Sequence, residues 1–269
     1  MDYFDYKFYL DFYPDLRQAG INTERKARNH YNTYGKKEKR ICNKHQITTN
    51  LDNAYKQIAN DYKHFERTKT LEEEFTILIR TSDRPGYFNE CITSILEQTY
   101  ENFKIIICYD KVESLKYLHK YKNNPKIHYF PVSVNSNKRY KFNLYCNYLM
   151  DKVNSGWIIF LDDDDKFTHN KVLQMINNNI ESNSTIYIWK FLRSDMIVFP
   201  PNLNDIKLGE IDTTSICFHS KHKNLSQWGD EQYGDFAFYS KFINLFKKSL
   251  INSIFTETID KSVIGNLGN

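Results

Sequence analysis

The chain has 269 residues, of which 41% are hydrophobic, with 20 Tyr and 19 Phe, so it can fill the core of one large α/β domain and a small appendage. Its five scattered cysteines form no C-x-x-C pair, which argues against a disulfide framework and a cysteine zinc site. A net charge of +4 is too small to indicate a nucleic-acid partner, and we expect a cytoplasmic protein because the sequence has neither a signal peptide nor an apolar run that could span a membrane.

Residues 1–45 have the pattern of a small module of two or three short helices. Aromatic side chains recur at helical spacing between Tyr3 and Tyr13, and we expect Pro14 to end that segment. The whole net charge arises here, from ten Lys and Arg against six Asp and Glu. Residues 46–73 predict a polar helix and linker.

From residue 74 to 269 strands and helices alternate, which predicts an α/β fold with a Rossmann-like, mainly parallel mixed sheet flanked by helices. The expected strands are 75–79, 103–108, 127–132, 157–161, 185–191, 196–199 and 215–218. Helices are expected within 88–96 and 142–153, and a third is expected after a cap at Thr168. A final helix is expected to begin at Asp235 and to carry an apolar face as far as Leu250.

Four consecutive aspartates, residues 162–165, follow the apolar strand at 157–161. Their repulsion and desolvation cost several kcal/mol unless a cation neutralises them, and oxygen ligands favour a hard ion such as Mg²⁺ or Mn²⁺. A calcium loop needs glycine at its sixth position, where this chain has Phe167. A haloacid-type phosphatase is also excluded, because Lys166 and Phe167 replace its Gly and Thr or Val. A phosphate-bearing substrate is the first hypothesis.

Three segments carry a family resemblance: FTILIRTSDRP at 75–85, CITSILEQTY at 91–100 and WIIFLDDDD at 157–165. In order and spacing they resemble family 2 glycosyltransferases with the GT-A fold, over about residues 75 to 250. The resemblance implies a D-x-D motif, with Asp162 and Asp164 as metal ligands and Asp162 or Asp163 near the donor ribose. For Asp165 two roles remain possible. It contributes to the site, or it is a carboxylate that lies behind the metal ligands or faces solvent.

The same resemblance implies a nucleotide-binding loop at Arg80, Thr81, Ser82 and Arg84, although Arg84 fits a surface role equally well. Asp110 matches the aspartate that the family places against a pyrimidine base, which favours a UDP-sugar donor. Asn147 resembles a family Asn on the helix before D-x-D, and helix packing or capping is its alternative role.

The segment 228–236, WGDEQYGDF, corresponds to the region in which the family carries its general base. Asp235 is the candidate base, with a helix N-cap as its alternative role and with Asp230 and Glu231 as further candidates. His219 and His222 are expected to be hydrogen-bonded structural residues rather than metal ligands. For Trp228 two roles remain possible, stacking on an acceptor sugar and packing within the protein.

These features predict a metal-dependent, inverting glycosyltransferase that moves a sugar from a nucleotide-sugar donor to a hydroxyl of a glycan or glycoconjugate. One alternative is a non-catalytic module that binds nucleotide or glycan. A nucleotidyltransferase fits less well, because Gly86 stands alone where that class carries a Gly-rich loop. The N-terminal segment resembles helical appendages of bacterial and large-virus glycosyltransferases at Tyr13–Arg17 and at His30 and Tyr31, with docking of a partner or acceptor as its hypothetical role.

Overall fold

The computed structural model describes residues 3–133 and 137–259. The chain divides into two compact units, one extending to Gln57 and including Asp195–Ile197, and a second comprising Ile58–Ser194 and the residues from Val198 onward. The domain limits expected at residues 45 and 73 stay predictions.

The first unit contains α1 (Tyr6–Phe12), α2 (Pro14–Gln18), α3 (Glu24–His30) and the start of α4 (Lys44–His64). Tyr9, Leu10, Leu16 and Ala27 form its core. Three short helices are thus present, as expected, but Pro14 begins α2 rather than only ending a segment. Proline suits that position because its missing N–H lies in the first helical turn, where no bonding partner exists.

The second unit is built on one mixed sheet with helices on both of its faces. Its strands are β1 (Phe75–Thr81), β2 (Phe103–Tyr109), β3 (Ile127–Pro131), β4 (Trp157–Phe160), β5 (Asp165–Phe167), β6 (Thr185–Leu192), β7 (Val198–Phe199), β8 (Ile216–His219) and β9 (Lys247–Thr258). Its further helices are α5 (Pro85–Leu96), α6 (Leu115–Leu118), α7 (Lys141–Asp151), α8 (Val172–Asn179) and α9 (Gly234–Leu245).

The strand order is β3-β2-β1-β4-β8-β6-β9-β5, and β7 pairs with β6. The first four strands are parallel, whereas β8 is antiparallel to both of its neighbours. This confirms the expected Rossmann-like α/β fold. Because β1, β2 and β4 are parallel neighbours, the residues that follow them lie at one edge of the sheet, where open α/β sheets bind ligands.

Alternating residues of β1 fill the two apolar cores of this unit. Ile77 and Ile79 face the layer that contains Phe88 of α5, and Leu78 faces the layer that contains Leu149 of α7. Since a parallel strand is covered on both sides, it reads as a continuous apolar run. This explains why the sequence predicts these strands well.

The end of the chain differs from the expectation. The final helix stops at Leu245, and Leu250 lies in the unpredicted strand β9, which pairs with β6 and β5. The cap expected at Thr168 is also wrong. Its hydroxyl donates to the Ile254 carbonyl, while α8 begins after Lys171 without a side-chain cap.

All five cysteines are buried and unpaired, consistent with the expectation of reduced thiols. Within residues 3–133 and 137–259, none of the helices combines the length and the apolar content that crossing a bilayer requires.

Candidate active site

The four aspartates form an acidic turn after β4, and the last of them, Asp165, is the first residue of β5. The backbone N–H of Asp165 donates to the Asp162 carbonyl at 2.9 Å, and the Asp164 carbonyl accepts from Ile259 at 2.8 Å. Asp163 and Asp165 are buried, whereas Asp162 and Asp164 are partly exposed. The turn therefore presents two carboxylates to solvent and encloses the other two.

Arg80 holds Asp162 through a bidentate ion pair. Its Nε and Nη2 atoms each donate to one carboxylate oxygen at 2.7 Å. Arg80 lies near the end of β1, which is paired with β4, so the register of the sheet brings the two residues together. Two parallel charge-assisted hydrogen bonds fix the carboxylate in orientation as well as in position.

Asp163 and Asp164 share Arg84. The Asp163 side chain is 0% exposed and accepts hydrogen bonds from Arg84 and from the Thr81 hydroxyl, the latter at 2.6 Å. Burial raises the pKa of Asp163 to about 6, although Arg84 and Thr81 both favour its ionised form. Arg84 Nη1 also donates to Asp164 at 2.9 Å, and both of those side chains are about 40% exposed (41% and 39%).

Three of these aspartates have a donor set that fits a hard divalent ion. One carboxylate oxygen from each of Asp162, Asp164 and Asp165 lies within 4.8 Å of the others. Asp165 is buried in the structure, so it does not face solvent. The acidic oxygens match the preference of Mg²⁺ and Mn²⁺ for oxygen ligands.

Asp212 is an acidic residue of this site that the sequence analysis missed. Burial and the charges of Asp162 and Asp235 raise its pKa to about 7, and its carboxylate accepts from the Thr214 N–H at 3.0 Å. Burial and Asp212 in turn raise the pKa of Asp165 well above its usual range. In sequence, Asp212 is an ordinary turn-capping aspartate, and no spacing relates it to the D-x-D motif.

Asp110 follows β2 and has one oxygen bonded and one without a partner. Its Oδ2 accepts from Lys141 Nζ at 3.1 Å and from the Tyr145 hydroxyl at 3.0 Å. Burial alone raises its pKa, but the nearby polar groups of Ser82, Lys141 and Tyr145 lower it overall. Oδ1 is buried, and no group in the described part of the chain bonds to it. Asp110 is therefore an ionised carboxylate with one unused acceptor.

The segment that leads to the candidate base is tied to α7. Asn147 donates to the Trp228 carbonyl and accepts from its N–H, both at 2.9 Å. Asn143 donates to the carbonyls of Gly229 and Glu231 at 3.3 and 2.9 Å. Trp228 is 3% exposed and stacks on Phe238, with ring centroids 4.7 Å apart, which assigns it to packing.

Asp230 also has a structural contact, since its carboxylate accepts from the Tyr140 N–H at 2.6 Å. Glu231 is exposed. Asp235 is the second residue of α9 rather than its N-cap, a position that Tyr233 holds without a side-chain hydrogen bond. Burial and the charge of Asp162 raise the pKa of Asp235, which places the candidate base in the electrostatic field of the acidic cluster.

Both histidines make structural hydrogen bonds, as expected. His219 Nδ1 accepts from the Lys221 N–H at 3.2 Å, and His222 Nε2 donates to the Asn183 carbonyl at 2.9 Å.

Among the predicted site residues, the structure brings Arg80, Thr81 and Arg84 into direct contact with the acidic turn. The roles of the predicted site residues in binding and catalysis stay predictions.

Comparison with known sequences agrees with this architecture. The model of a family described as glycosyl transferase family 2 matches residues 76–254. An uncharacterized glycosyltransferase of Rickettsia bellii (strain RML369-C) is 32% identical over 139 residues, which cover 51% of this chain and 18% of the relative. The chain thus spans less than a fifth of that relative's length.

Solved structures show the same fold at low identity. S. aureus TarS 1-349 matches with a TM-score of 0.57 and 15% identity, covering 69% of this chain and 60% of TarS 1-349. The same protein in complex with UDP-GlcNAc gives 0.54 and 13%, covering 70% and 59%. The mannosyltransferase PcManGT from Pyrobaculum calidifontis, in complex with GDP-Man and Mn²⁺, gives 0.54 and 10%, covering 80% and 65%. The expected GT-A fold is confirmed, and the chain belongs to glycosyltransferase family 2.

Proposed function

We propose that this protein transfers a sugar from a nucleotide-sugar donor to a hydroxyl group of a glycan or glycoconjugate, with a divalent metal ion and with inversion at the anomeric carbon. The observation that carries the proposal is the gathering of Asp162, Asp164 and Asp165 at the carboxyl end of β4. Asp110 and Asp235 extend from neighbouring elements of the same unit.

The charge balance of the site supports a bound cation. Arg80 and Arg84 pair with Asp162, Asp163 and Asp164, and Asp165 and Asp212 add two further acidic groups. Asp162 and Asp164 are the proposed ligands of Mn²⁺ or Mg²⁺, and Asp165 lies close enough to contribute. When bound, such an ion neutralises charge that develops on a diphosphate leaving group.

The nucleotide site is proposed at the ends of β1 and β2. The unused Oδ1 of Asp110 can accept the imide N–H of uracil, and the family resemblance places an aspartate here against a pyrimidine base, so a UDP-sugar is the favoured donor. TarS in complex with UDP-GlcNAc supports the same choice, whereas PcManGT is in complex with GDP-Man. The Thr81 hydroxyl connects this loop to Asp163 of the acidic turn, and Arg84 is exposed enough to meet a phosphate.

Asn147, a further residue of the predicted nucleotide site, contacts the segment before α9. Both polar atoms of its carboxamide bond to the backbone of Trp228. The structure therefore supports a role in holding the segment before α9, and direct contact with the nucleotide rests on the family resemblance alone.

Asp235 is the proposed general base. Its carboxylate takes the proton of the acceptor hydroxyl while the hydroxyl oxygen bonds to the anomeric carbon. The bond from that carbon to the donor phosphate breaks, and its electron pair leaves with the diphosphate. A pKa raised by burial and by Asp162 suits this role, because it brings the proton affinity of the carboxylate closer to neutral conditions.

Transfer assays with UDP-sugars test the proposal. We expect Asp164→Asn to abolish metal-dependent transfer, and Asp235→Asn to remove transfer while donor affinity stays within about twofold. Asp151→Asn, an exposed change at the end of α7, is the matched control and should be active. Full activity of the Asp164 variant contradicts the metal assignment. Donor binding by the wild-type chain without turnover across an acceptor panel favours the non-catalytic alternative.

A further inference from the structure

The first unit contains a cavity whose walls combine aromatic, cationic and amide groups. Its volume is about 750 Å³, within the range of about 300–1,000 Å³ that is typical of small-ligand sites. Tyr3, Phe4 and Tyr31 supply the aromatic walls, with the rings of Phe4 and Tyr31 stacked at 5.0 Å. Tyr3 is 67% exposed, so a flat apolar ring is open to a ligand.

Two cations lie over these rings. The Arg28 guanidinium carbon is 5.1 Å from the centre of the Phe4 ring, and Lys36 Nζ is 5.7 Å from the centre of the Tyr31 ring. Arg28 also pairs with Glu24 at 2.9 Å, but both side chains are about half exposed, and exposed pairs are weak. The cavity therefore offers positive charge directly beside aromatic surface.

The carboxamide of Asn32 completes the lining, and Gln46 lies beside it with its Oε1 accepting from the Cys42 N–H at 2.7 Å. A carboxamide both donates and accepts hydrogen bonds, as a hydroxyl-rich ligand requires. The set of groups thus matches three features of one ligand class: apolar ring faces, hydroxyl groups and negative charge.

A π-helical turn at Tyr31–Gly35 builds this wall. The Lys36 N–H donates to the Tyr31 carbonyl at 2.9 Å across five residues, which is the bond of a π turn. Gly35 permits it, because a Cβ there would lie 2.8 Å from the Tyr31 ring and would also collide with the Tyr9 hydroxyl. Such turns are rare and occur frequently at functional sites.

We propose that this cavity binds an anionic carbohydrate, a sugar chain that carries carboxylate or phosphate groups. A sugar ring packs its C–H face on the exposed ring of Tyr3, while Arg28 and Lys36, which lie over the Phe4 and Tyr31 rings, pair with the acidic groups. An acidic peptide such as polyglutamate has no ring to pack on the exposed Tyr3 side chain, and a neutral glycan has no acidic group to pair with the two cations. The proposal concerns binding alone and does not depend on the proposed catalytic activity.

Calorimetry with the full chain, in EDTA and without donor, tests the proposal. The probes are trigalacturonate, a phosphorylated maltotriose, neutral maltotriose and hexaglutamate. We expect at least one of the two anionic carbohydrates to bind and both maltotriose and hexaglutamate to bind at least tenfold more weakly. Which of the two binds identifies the acidic group.

Surface variants locate the site. Lys36→Gln and Tyr3→Ala should each weaken the anionic probe about fivefold to tenfold, as expected for the loss of a charged hydrogen bond or an aromatic contact. Lys37→Gln and Tyr34→Ala are matched controls on exposed residues outside the cavity lining, and they should bind normally.

Three results would overturn the proposal. The first is no binding of either anionic carbohydrate. The second is equal binding of hexaglutamate or maltotriose. The third is equal weakening by the control and the cavity variants. Because neither metal nor donor is present, failure here leaves the proposed transferase activity untouched.

Discussion

Replacing Asn147 separates two roles for this residue, nucleotide binding and support of the segment that carries the candidate base. Asn147→Ala removes two hydrogen bonds of 2.9 Å and leaves the N–H and the carbonyl of Trp228 without their partner. A hydrogen bond contributes about 1 kcal/mol net, and an unsatisfied buried group costs about 1–3 kcal/mol. The expected loss of stability is therefore about 2–4 kcal/mol.

The functional effect should lie in turnover rather than in donor affinity. Loosening of the segment 228–234 displaces Asp235, and a displacement of about 1 Å can cost about 100-fold in rate. We expect kcat to fall about 10- to 100-fold while the donor Kd stays within about twofold. Urea unfolding, steady-state kinetics and calorimetry with the donor measure the three quantities.

The matched control is Asn179→Ala, which removes one local hydrogen bond to the Met175 carbonyl at 2.8 Å. It should cost about 1 kcal/mol or less and leave kcat unchanged. A tenfold weaker donor Kd in Asn147→Ala, with unchanged kcat and stability, would refute the reasoning. Asn147 would then bind the nucleotide, as the family resemblance implies.

Three further predictions test separate parts of the site and fold. Asp110→Ala removes the unused acceptor, so the affinity for a UDP-sugar should fall about tenfold or more. An unchanged donor Kd would show that the uracil ring binds elsewhere. Gly234→Ala puts a Cβ against the Asn143 side chain, so it should destabilise the protein by about 1–3 kcal/mol in urea, although the same change at an open helical site stabilises by about 0.5–1 kcal/mol. A stabilising result would show that the Asn143 side chain moves away from the added Cβ at little cost in free energy. Burial lowers the pKa of His169 to about 4. Its stabilising effect is therefore present above about pH 6.5 and is lost as the pH falls towards 4, by about 1–2 kcal/mol because the side chain is partly exposed. His169→Gln should flatten that part of the stability profile, and an unchanged slope assigns the dependence to another group.

The parallel half of the sheet could be predicted because each of its strands is an apolar run covered on both faces. The acidic turn was predictable for the same reason, since it directly follows β4. Strand β9 was missed because Phe242, Phe246 and Leu250 continue a helical spacing into it, and only pairing with β6 and β5 makes that segment a strand.

Parts of the site depend on contacts that have no local pattern. Asp212 and Asp165 interact across 47 residues of sequence, and Asn147 meets Trp228 across 81. Such pairs are set by how β8 and α9 pack beside β4 and α7. Spacing within one segment cannot reveal them, so the sequence located the acidic motif but not the groups that surround and hold it.

The central claim is a nucleotide-sugar site completed by a divalent metal at the acidic turn, and melting temperature with donor and metal tests it most directly. UDP-sugar with Mn²⁺ at about 100 times the Kd should add about 2.7 kcal/mol, or roughly 5–10 °C, to wild type. The shift should be much smaller in EDTA, smaller with a GDP-sugar, and lost in Asp164→Asn. An equal shift in EDTA and in the Asp164 variant, or no shift with any nucleotide sugar, would contradict the account.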